Sequence, residues 1–321
     1  MKRCLSDRTM PRKPGYVEKL RTVFLKRAVM DLLEFLKEQK VLLFDGAMGT
    51  QLDKRGLMSR GRNNLDSPEA VLEIHREYCQ AGCNGLTTNT LTMNRIYIET
   101  HNVGVNVCEV NKAGTELARQ AASEGQYVLG DISSTGQLLE PYGSYKESQF
   151  YDSFAEQAEI LAESGVDGFI VETMFDLNEA LCALRACKGD FSLPVIVSMA
   201  FQTEANGGRT IMGNSAEDCA RRLGDAGADV IGANCGDLDP EQMSVVVSLL
   251  KSATSLPILT QPNAGKPKLI GDKTIFEMRP EPFAAGMDKC IEAGASLVGG
   301  CCGTTPEHIR ALADMLNEKN N

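Results

Sequence analysis

Short apolar runs alternate along the chain with longer stretches in which apolar positions recur every three or four residues. Eight such runs stand at 41–44, 85–88, 127–129, 168–171, 195–199, 230–233, 258–260 and 297–299, each followed by loop-forming or helix-starting residues. A continuous apolar run of this length is how a strand reads when both of its faces are buried. Strands that alternate with amphipathic helices require a parallel sheet with right-handed crossovers, and eight such units is the number that closes a barrel. The expected fold is therefore α/β, a single (β/α)8 TIM barrel spanning residues 30–318.

A weak internal repeat supports this count. Ala81-Gly82, Ser164-Gly165, Ala226-Gly227 and Ala293-Gly294 each close a helical pattern just before the second, fourth, sixth and eighth runs, where glycine suits a left-handed helix cap. Ahead of the first run, Leu32, Leu33 and Leu36 share one helical face, which would plug the bottom of a barrel. Residues 1–29 read differently: Lys2, Arg3, Arg8, Arg12, Lys13, Lys19, Arg21, Lys26 and Arg27 face only Asp7 and Glu18. This is a short basic N-terminal extension, expected to be solvated rather than part of the barrel.

Composition narrows the function classes. The 321 residues are 43% hydrophobic and 24% charged, with no tryptophan, and no apolar stretch is long enough for a membrane span. A formal charge of −10 offers a nucleic acid no broad basic face. The 11 cysteines are too sparse for a secreted disulfide framework and follow no apolar signal region, so a reducing, cytoplasmic setting is expected. Cys79, Cys108, Cys182, Cys187, Cys219 and Cys290 fall in helical patterns and read as small buried hydrophobes.

Chemistry in such a barrel sits at the C-terminal strand ends. The sixth run opens into Asn234-Cys235-Gly236 and the eighth into Gly300-Cys301-Cys302-Gly303. If the two strands lie close in one barrel, three thiols converge, and a tetrahedral metal held by them keeps one position open, the arrangement of catalytic zinc. Three thiolates on Zn2+ leave a net negative site, which would keep an added thiol deprotonated and electron-rich, fit to be alkylated. A vicinal disulfide, a redox switch or chance neighbours in a glycine-rich turn are the competing accounts of the cysteine pair. At the first strand end, Asp45-Gly46-Ala47-Met48-Gly49-Thr50 combines backbone N–H groups freed by glycine with an acidic side chain. That pairing could cradle a carboxylate and hold an ammonium, the two charges of an amino acid. Asp45 and Glu172, both at strand ends, could instead be a general acid/base pair, although the chain lacks the aromatic set that stacks on sugars. His75, His101 and His308 fall in helix or loop contexts and read as packing or surface residues.

Together these residues resemble the zinc-dependent homocysteine S-methyltransferases, most closely the homocysteine-binding barrel of cobalamin-dependent methionine synthase. The resemblance runs from about Leu42 to Leu316. It is carried by Phe44-Asp45-Gly46-Ala47-Met48-Gly49-Thr50, Thr88-Asn89-Thr90, Gly130-Asp131-Ile132, Val171-Glu172-Thr173, Asn234-Cys235, Pro262-Asn263-Ala264-Gly265-Lys266-Pro267 and Gly299-Gly300-Cys301-Cys302-Gly303-Thr304-Thr305-Pro306-Glu307-His308-Ile309. It implies that Cys235, Cys301 and Cys302 bind zinc and that Asn263 caps the metal when substrate is absent. It also implies that Asp45 and Glu172 hold the amino group of homocysteine, that the turn Gly46, Ala47, Met48, Gly49 and Thr50 receives its carboxylate, and that Asn89 contacts substrate.

The chain departs from the family pattern where a methyl donor would approach: Ser133-Ser134 replaces Gly-Pro, and Leu91 stands where phenylalanine is usual. The sequence ends soon after the eighth helix, so the expected donor is methylcobalamin carried by a separate corrinoid protein. Betaine or S-methylmethionine as donor, another small thiol as acceptor, and a zinc- and thiol-binding module that transfers nothing are the alternatives.

Overall fold

The computed structural model describes residues 32–38, 41–58, 60–271 and 273–320; the basic extension 1–29 lies outside them. Eight strands in chain order form one parallel sheet: β1 Leu42–Leu43, β2 Gly85–Thr87, β3 Tyr127–Ile132, β4 Gly168–Met174, β5 Val195–Met199, β6 Val230–Asn234, β7 Ile258–Gln261 and β8 Ala295–Val298. Each strand pairs with its predecessor from β3 to β8, and β8 returns to β1 through Leu42 opposite Leu297 and Leu43 opposite Val298. A parallel bridge from Phe44 to Gly85 joins β1 to β2 and closes the (β/α)8 barrel, which removes both sheet edges.

Two layers of apolar side chains hold the barrel. Inside, Leu42, Phe44, Leu129, Ile170, Ile196, Val230, Leu259 and Leu297 fill the lumen, and Leu32, Leu33 and Leu36 of the helix Leu32–Lys37 pack against its lower end, as the stripe in the sequence requires. Outside, alternate strand residues such as Val128, Val171, Val197 and Ile231 meet the inner faces of the surrounding helices. Gly82, Gly165, Gly227 and Gly294 all adopt positive φ, between 88° and 111°. The glycine repeat therefore marks the left-handed turns that end four helices.

The structure adds what the pattern did not show. β4 runs on to Met174 with a register shift after Val171, and antiparallel hairpins stand in the loops after β5 (Phe201–Thr203 with Arg209–Thr210) and β7 (Lys268–Ile270 with Lys273–Ile275). Among the helical cysteines, Cys182, Cys187, Cys219 and Cys290 are buried, whereas Cys79 and Cys108 are only half-buried. No helix among the described residues is long and apolar enough to cross a membrane.

Candidate metal and substrate site

A cavity of about 240 Å³ opens at the C-terminal mouth of the barrel, where this fold presents its strand ends. At its floor the sulfurs of Cys235, Cys301 and Cys302 lie within 4.8 Å of one another. Backbone bonds bring them there. Cys235 N donates to Gln261 O at 3.1 Å and Cys301 N to Pro262 O at 2.9 Å, while Ala264 N donates to Cys302 O at 2.9 Å, so the loop after β7 stitches the loops after β6 and β8 together. Cys235 has φ 55° and Gly236 φ 67°. This left-handed step turns the chain under the Phe201 carbonyl so tightly that any Cβ on Gly236 would overlap it.

The three thiols are free and close enough to perturb one another's titration. Hydrogen bonds from Cys235 and Cys301 lower the pKa of Cys302 to about 4. Cys301 is held well above its ordinary value by its bonds to Cys235 and Cys302. For Cys235 the bond to Cys301 lowers the pKa, but the bond to Cys302 and burial outweigh it and leave the thiol at about 12. Such a soft, clustered donor set suits a thiophilic divalent ion, and its size fits tetrahedral coordination with a vacancy. Asn263 stands beside this loop junction with Nδ2 donating to Gly236 O at 2.8 Å. Its Oδ1 is buried without a hydrogen-bond partner among the described residues, as a group kept for a cation would be.

Carboxylates line the same cavity. Asp45 is fixed by Thr87, whose N donates to Oδ2 at 3.0 Å and whose hydroxyl reaches Oδ1 at 3.2 Å. Glu172 Oε2 accepts from Asn234 Nδ2 at 2.7 Å. Burial raises the pKa of Asp45 well above the usual carboxylate range, against the pull of the Thr87 bonds. Burial, followed by the nearby Cys235, brings Glu172 to about 7. Asp131 is raised well above its usual value, first by burial and then by the charge of Glu172, and its Oδ1 lacks a partner among the described residues. Three buried acids around one cavity form a site for a cation such as an ammonium group.

The turn at 46–50 forms the third wall. It begins the helix Met48–Lys54, whose N-cap Ala47 supplies no side-chain bond, so its first-turn amides have no intrahelical acceptor, and residues 46–50 line the cavity. Gly46 has no room for a Cβ because Thr304 Oγ1 would sit 2.7 Å away. Ala47 N is already engaged by Thr304 Oγ1 at 3.0 Å, and Thr50 Oγ1 accepts from Gly303 N at 3.1 Å. The turn is thus tied to the cysteine loop by two of its own members. Asn89 also lines the cavity; its amide nitrogen donates to Arg60 O at 3.1 Å and Asn64 Oδ1 at 2.9 Å.

Leu91 lines the cavity, but Ser133 and Ser134 do not. Ser133 Oγ bonds Glu172 O at 2.7 Å, and Ser134 Oγ bonds Glu179 Oε2 at 2.9 Å. Glu179, 1% exposed, also takes Thr135 N and Oγ1 at 2.8 and 2.7 Å. This buried carboxylate anchors the loop at 134–135 through those three bonds. His308 bonds Met278 O through Nε2 at 2.9 Å and packs edge-on against Phe283, while His101 stacks on Tyr97 at the surface.

Sequence reasoning assigned no role to Asn234, Asp131, Thr87 or Arg60. The first two stand at the ends of β6 and β3, where strand-end position was a usable signal; Thr87 and Arg60 gave none.

A family model described as homocysteine S-methyltransferase matches residues 42–316. Among curated proteins, the methionine synthase of Mycobacterium leprae is 33% identical over 306 residues, covering 88% of this chain and 25% of that protein. The methionine synthase of Mycobacterium tuberculosis is 32% identical with the same coverage. The chain spans about a quarter of the length of these relatives. The fold is shared with the metallated form of the Escherichia coli homocysteine methyltransferase MmuM, at a TM-score of 0.73 and 22% identity over 88% of this chain and 98% of that one.

Proposed function

Because the chain belongs to the homocysteine S-methyltransferase family, we propose that it is an enzyme that transfers a methyl group to the sulfur of homocysteine, giving methionine. The observation that carries this reading is the meeting of Cys235, Cys301 and Cys302 within 4.8 Å beneath a cavity whose other walls suit an amino acid. Those three thiols, with Asn263 Oδ1 as the oxygen closing the shell when substrate is away, would hold zinc. Zinc bound there supplies the acidity that keeps an acceptor thiol deprotonated at neutral pH.

The chain's own residues then position the acceptor. Asp45 and Glu172 take the ammonium group, and Asn234 keeps the Glu172 carboxylate aimed at it through the 2.7 Å bond. The first-turn amides at 46–50 face the carboxylate, and Asn89 braces that wall. Held at both ends, the homocysteine sulfur presents a lone pair toward the open mouth. The new S–C bond forms as the bond between methyl and its donor breaks, and no proton moves in that step, so orientation and sulfur activation account for the rate gain. The donor this reading favours is methylcobalamin on a corrinoid protein; betaine and S-methylmethionine are the small-molecule alternatives. The chemistry needs reduced thiols, which fits a cytoplasmic setting.

Zinc-loaded protein studied by X-ray absorption, with and without homocysteine, tests the reading. The sulfur count at the metal should rise by one on addition of homocysteine, and methionine should appear when methylcobalamin is supplied. Cys301→Ser should lose both metal and product; full zinc content and turnover in that variant would refute the ligand assignment.

A further inference from the structure

Among the described residues Arg60 is the only cationic side chain lining the cavity, against the acids Asp45, Asp131 and Glu172. Its guanidinium hangs over the 46–50 turn: a Cβ built on Gly49 would lie 3.1 Å from Arg60 Nη1. Among the described residues this guanidinium has no hydrogen bond or ion pair, in contrast to Arg55, which is bound to Glu77 at 2.8 Å, and Arg62, which is bound to Asp66 at 2.6 Å. A guanidinium left unpaired at the lip of an acidic cavity is available to a ligand anion.

The backbone shows that this placement is built. Arg60 has φ 47°, in the left-handed region that disfavours a side chain, a cost of about 1–2 kcal/mol that persists only where the surroundings enforce it. Asn89 enforces it by donating to Arg60 O at 3.1 Å, and Asn89 is itself clamped by Asn64, which donates to Asn89 O at 2.7 Å and accepts from its Nδ2 at 2.9 Å. On the other side Gly61 packs so closely on Met93 that a Cβ would sit 2.7 Å from Cγ. A glycine would take the bend at position 60 without strain, yet an arginine occupies it.

We propose that Arg60 is a specificity-determining residue that pairs with the α-carboxylate of the acceptor, so that the site selects amino-acid thiols over thiols lacking that group. This rests on the homocysteine reading above and adds to it the residue that recognises the negative end. The geometry divides the charges of a zwitterion. The acids Asp45, Asp131 and Glu172, at or just beyond the ends of β1, β3 and β4, meet the ammonium, while Arg60, across the 46–50 turn, meets the carboxylate with a planar fork suited to two oxygens.

The test compares homocysteine with 3-mercaptopropylamine, which keeps the thiol and the amine and lacks only the carboxylate. Binding to zinc-loaded protein is measured by calorimetry for wild type, Arg60→Met and Arg60→Lys. Arg60→Met should weaken homocysteine by about 10- to 100-fold and leave 3-mercaptopropylamine within about threefold, with Arg60→Lys restoring part of the loss. Homocysteine affinity unchanged in Arg60→Met would overturn the assignment, as would an equal loss for both ligands, which would mean that Arg60 acts on the metal or on the fold. Failure of the wild type to bind homocysteine at all would instead remove the proposed acceptor, and with it this inference.

Discussion

Replacing Asn234 with aspartate changes one buried atom at the junction of metal and substrate walls. The side chain is fully buried; Oδ1 accepts from Thr173 N at 2.9 Å and Ser198 Oγ at 2.7 Å, while Nδ2 donates to Glu172 Oε2 at 2.7 Å. Asn234→Asp keeps both acceptor bonds and the volume, but sets an oxygen against the Glu172 carboxylate. Two unit charges about 4 Å apart repel by about 4 kcal/mol at an effective dielectric constant of 20, so the new pair keeps one proton between its members. Without metal, burial and then the nearby Cys235 raise Glu172 to about 7; a cation on the sulfurs would offset the second cause, so the carboxylate is mostly ionised at pH 8 and available to the ammonium group of the proposed acceptor. The variant retains its shared proton at that pH and loses a charge-assisted bond worth about 1.5–3 kcal/mol, equivalent to about 10- to 150-fold in affinity. Calorimetric titration of zinc-loaded protein with homocysteine at pH 8 should show that loss. The gap should narrow at pH 6, where native Glu172 is itself largely protonated. Equal affinity of variant and wild type at pH 8 would refute the view that Asn234 holds Glu172 ionised and aimed.

Gly236→Ala should cost about 1–2 kcal/mol for the left-handed backbone plus the overlap with the Phe201 carbonyl; it is expected to lower both the thermal midpoint and bound zinc, and unchanged values of both would show that the loop can relax. His75 is buried with neither ring nitrogen bonded among the described residues, and burial lowers its pKa from 6.5 to about 4. A depressed folded-state value means that its contribution is fully present above pH 6.5 and is lost as pH falls through 4, about 2 kcal/mol of it by pH 5. Urea unfolding of His75→Leu at pH 7.5 and 5 should show a smaller pH-dependent loss than wild type by that amount, and parallel losses would contradict the assignment.

The barrel was legible because parallel strands buried on both faces must be apolar throughout, and because the left-handed caps at Gly82, Gly165, Gly227 and Gly294 demand glycine. The hairpins after β5 and β7 were not. Their strands are two or three residues long, and Lys268–Ile270 is exposed along its whole length, so neither periodicity nor burial marks them in the sequence. Cys235, Cys301 and Cys302 could be read from strand ends since the topology alone decides which ends share a mouth. Arg60 lay hidden because it reaches the cavity from a loop through a positive-φ bend. The anchoring of Ser134 and Thr135 was hidden for a related reason: the buried Glu179 that captures them comes from the helix after β4, and no local pattern announces a long-range carboxylate.

That contrast extends to the backbone of the site itself. Thr173 and Cys235, at or just beyond the ends of β4 and β6, adopt φ 57° and 55°, positions that cost of order 1–3 kcal/mol each for residues with side chains. Asn234 lies between them in the hydrogen-bond network, bonded to Thr173 through both N and Oγ1 and reaching Cys301 Sγ at 3.9 Å. The bend at Thr173 is held by this amide, and the bend at Cys235 by its own N–H on Gln261 O at 3.1 Å. The bend at Cys235 turns its thiol toward the cysteine pair, and the bend at Thr173 follows the residue whose carboxylate faces the acceptor. A single buried side chain therefore couples the placement of the three sulfurs proposed to hold metal to that of the carboxylate proposed to hold the ammonium group, so variation at Asn234 should disturb metal and acceptor affinity together, whereas variation at Asp45, anchored separately by Thr87, should disturb acceptor affinity alone.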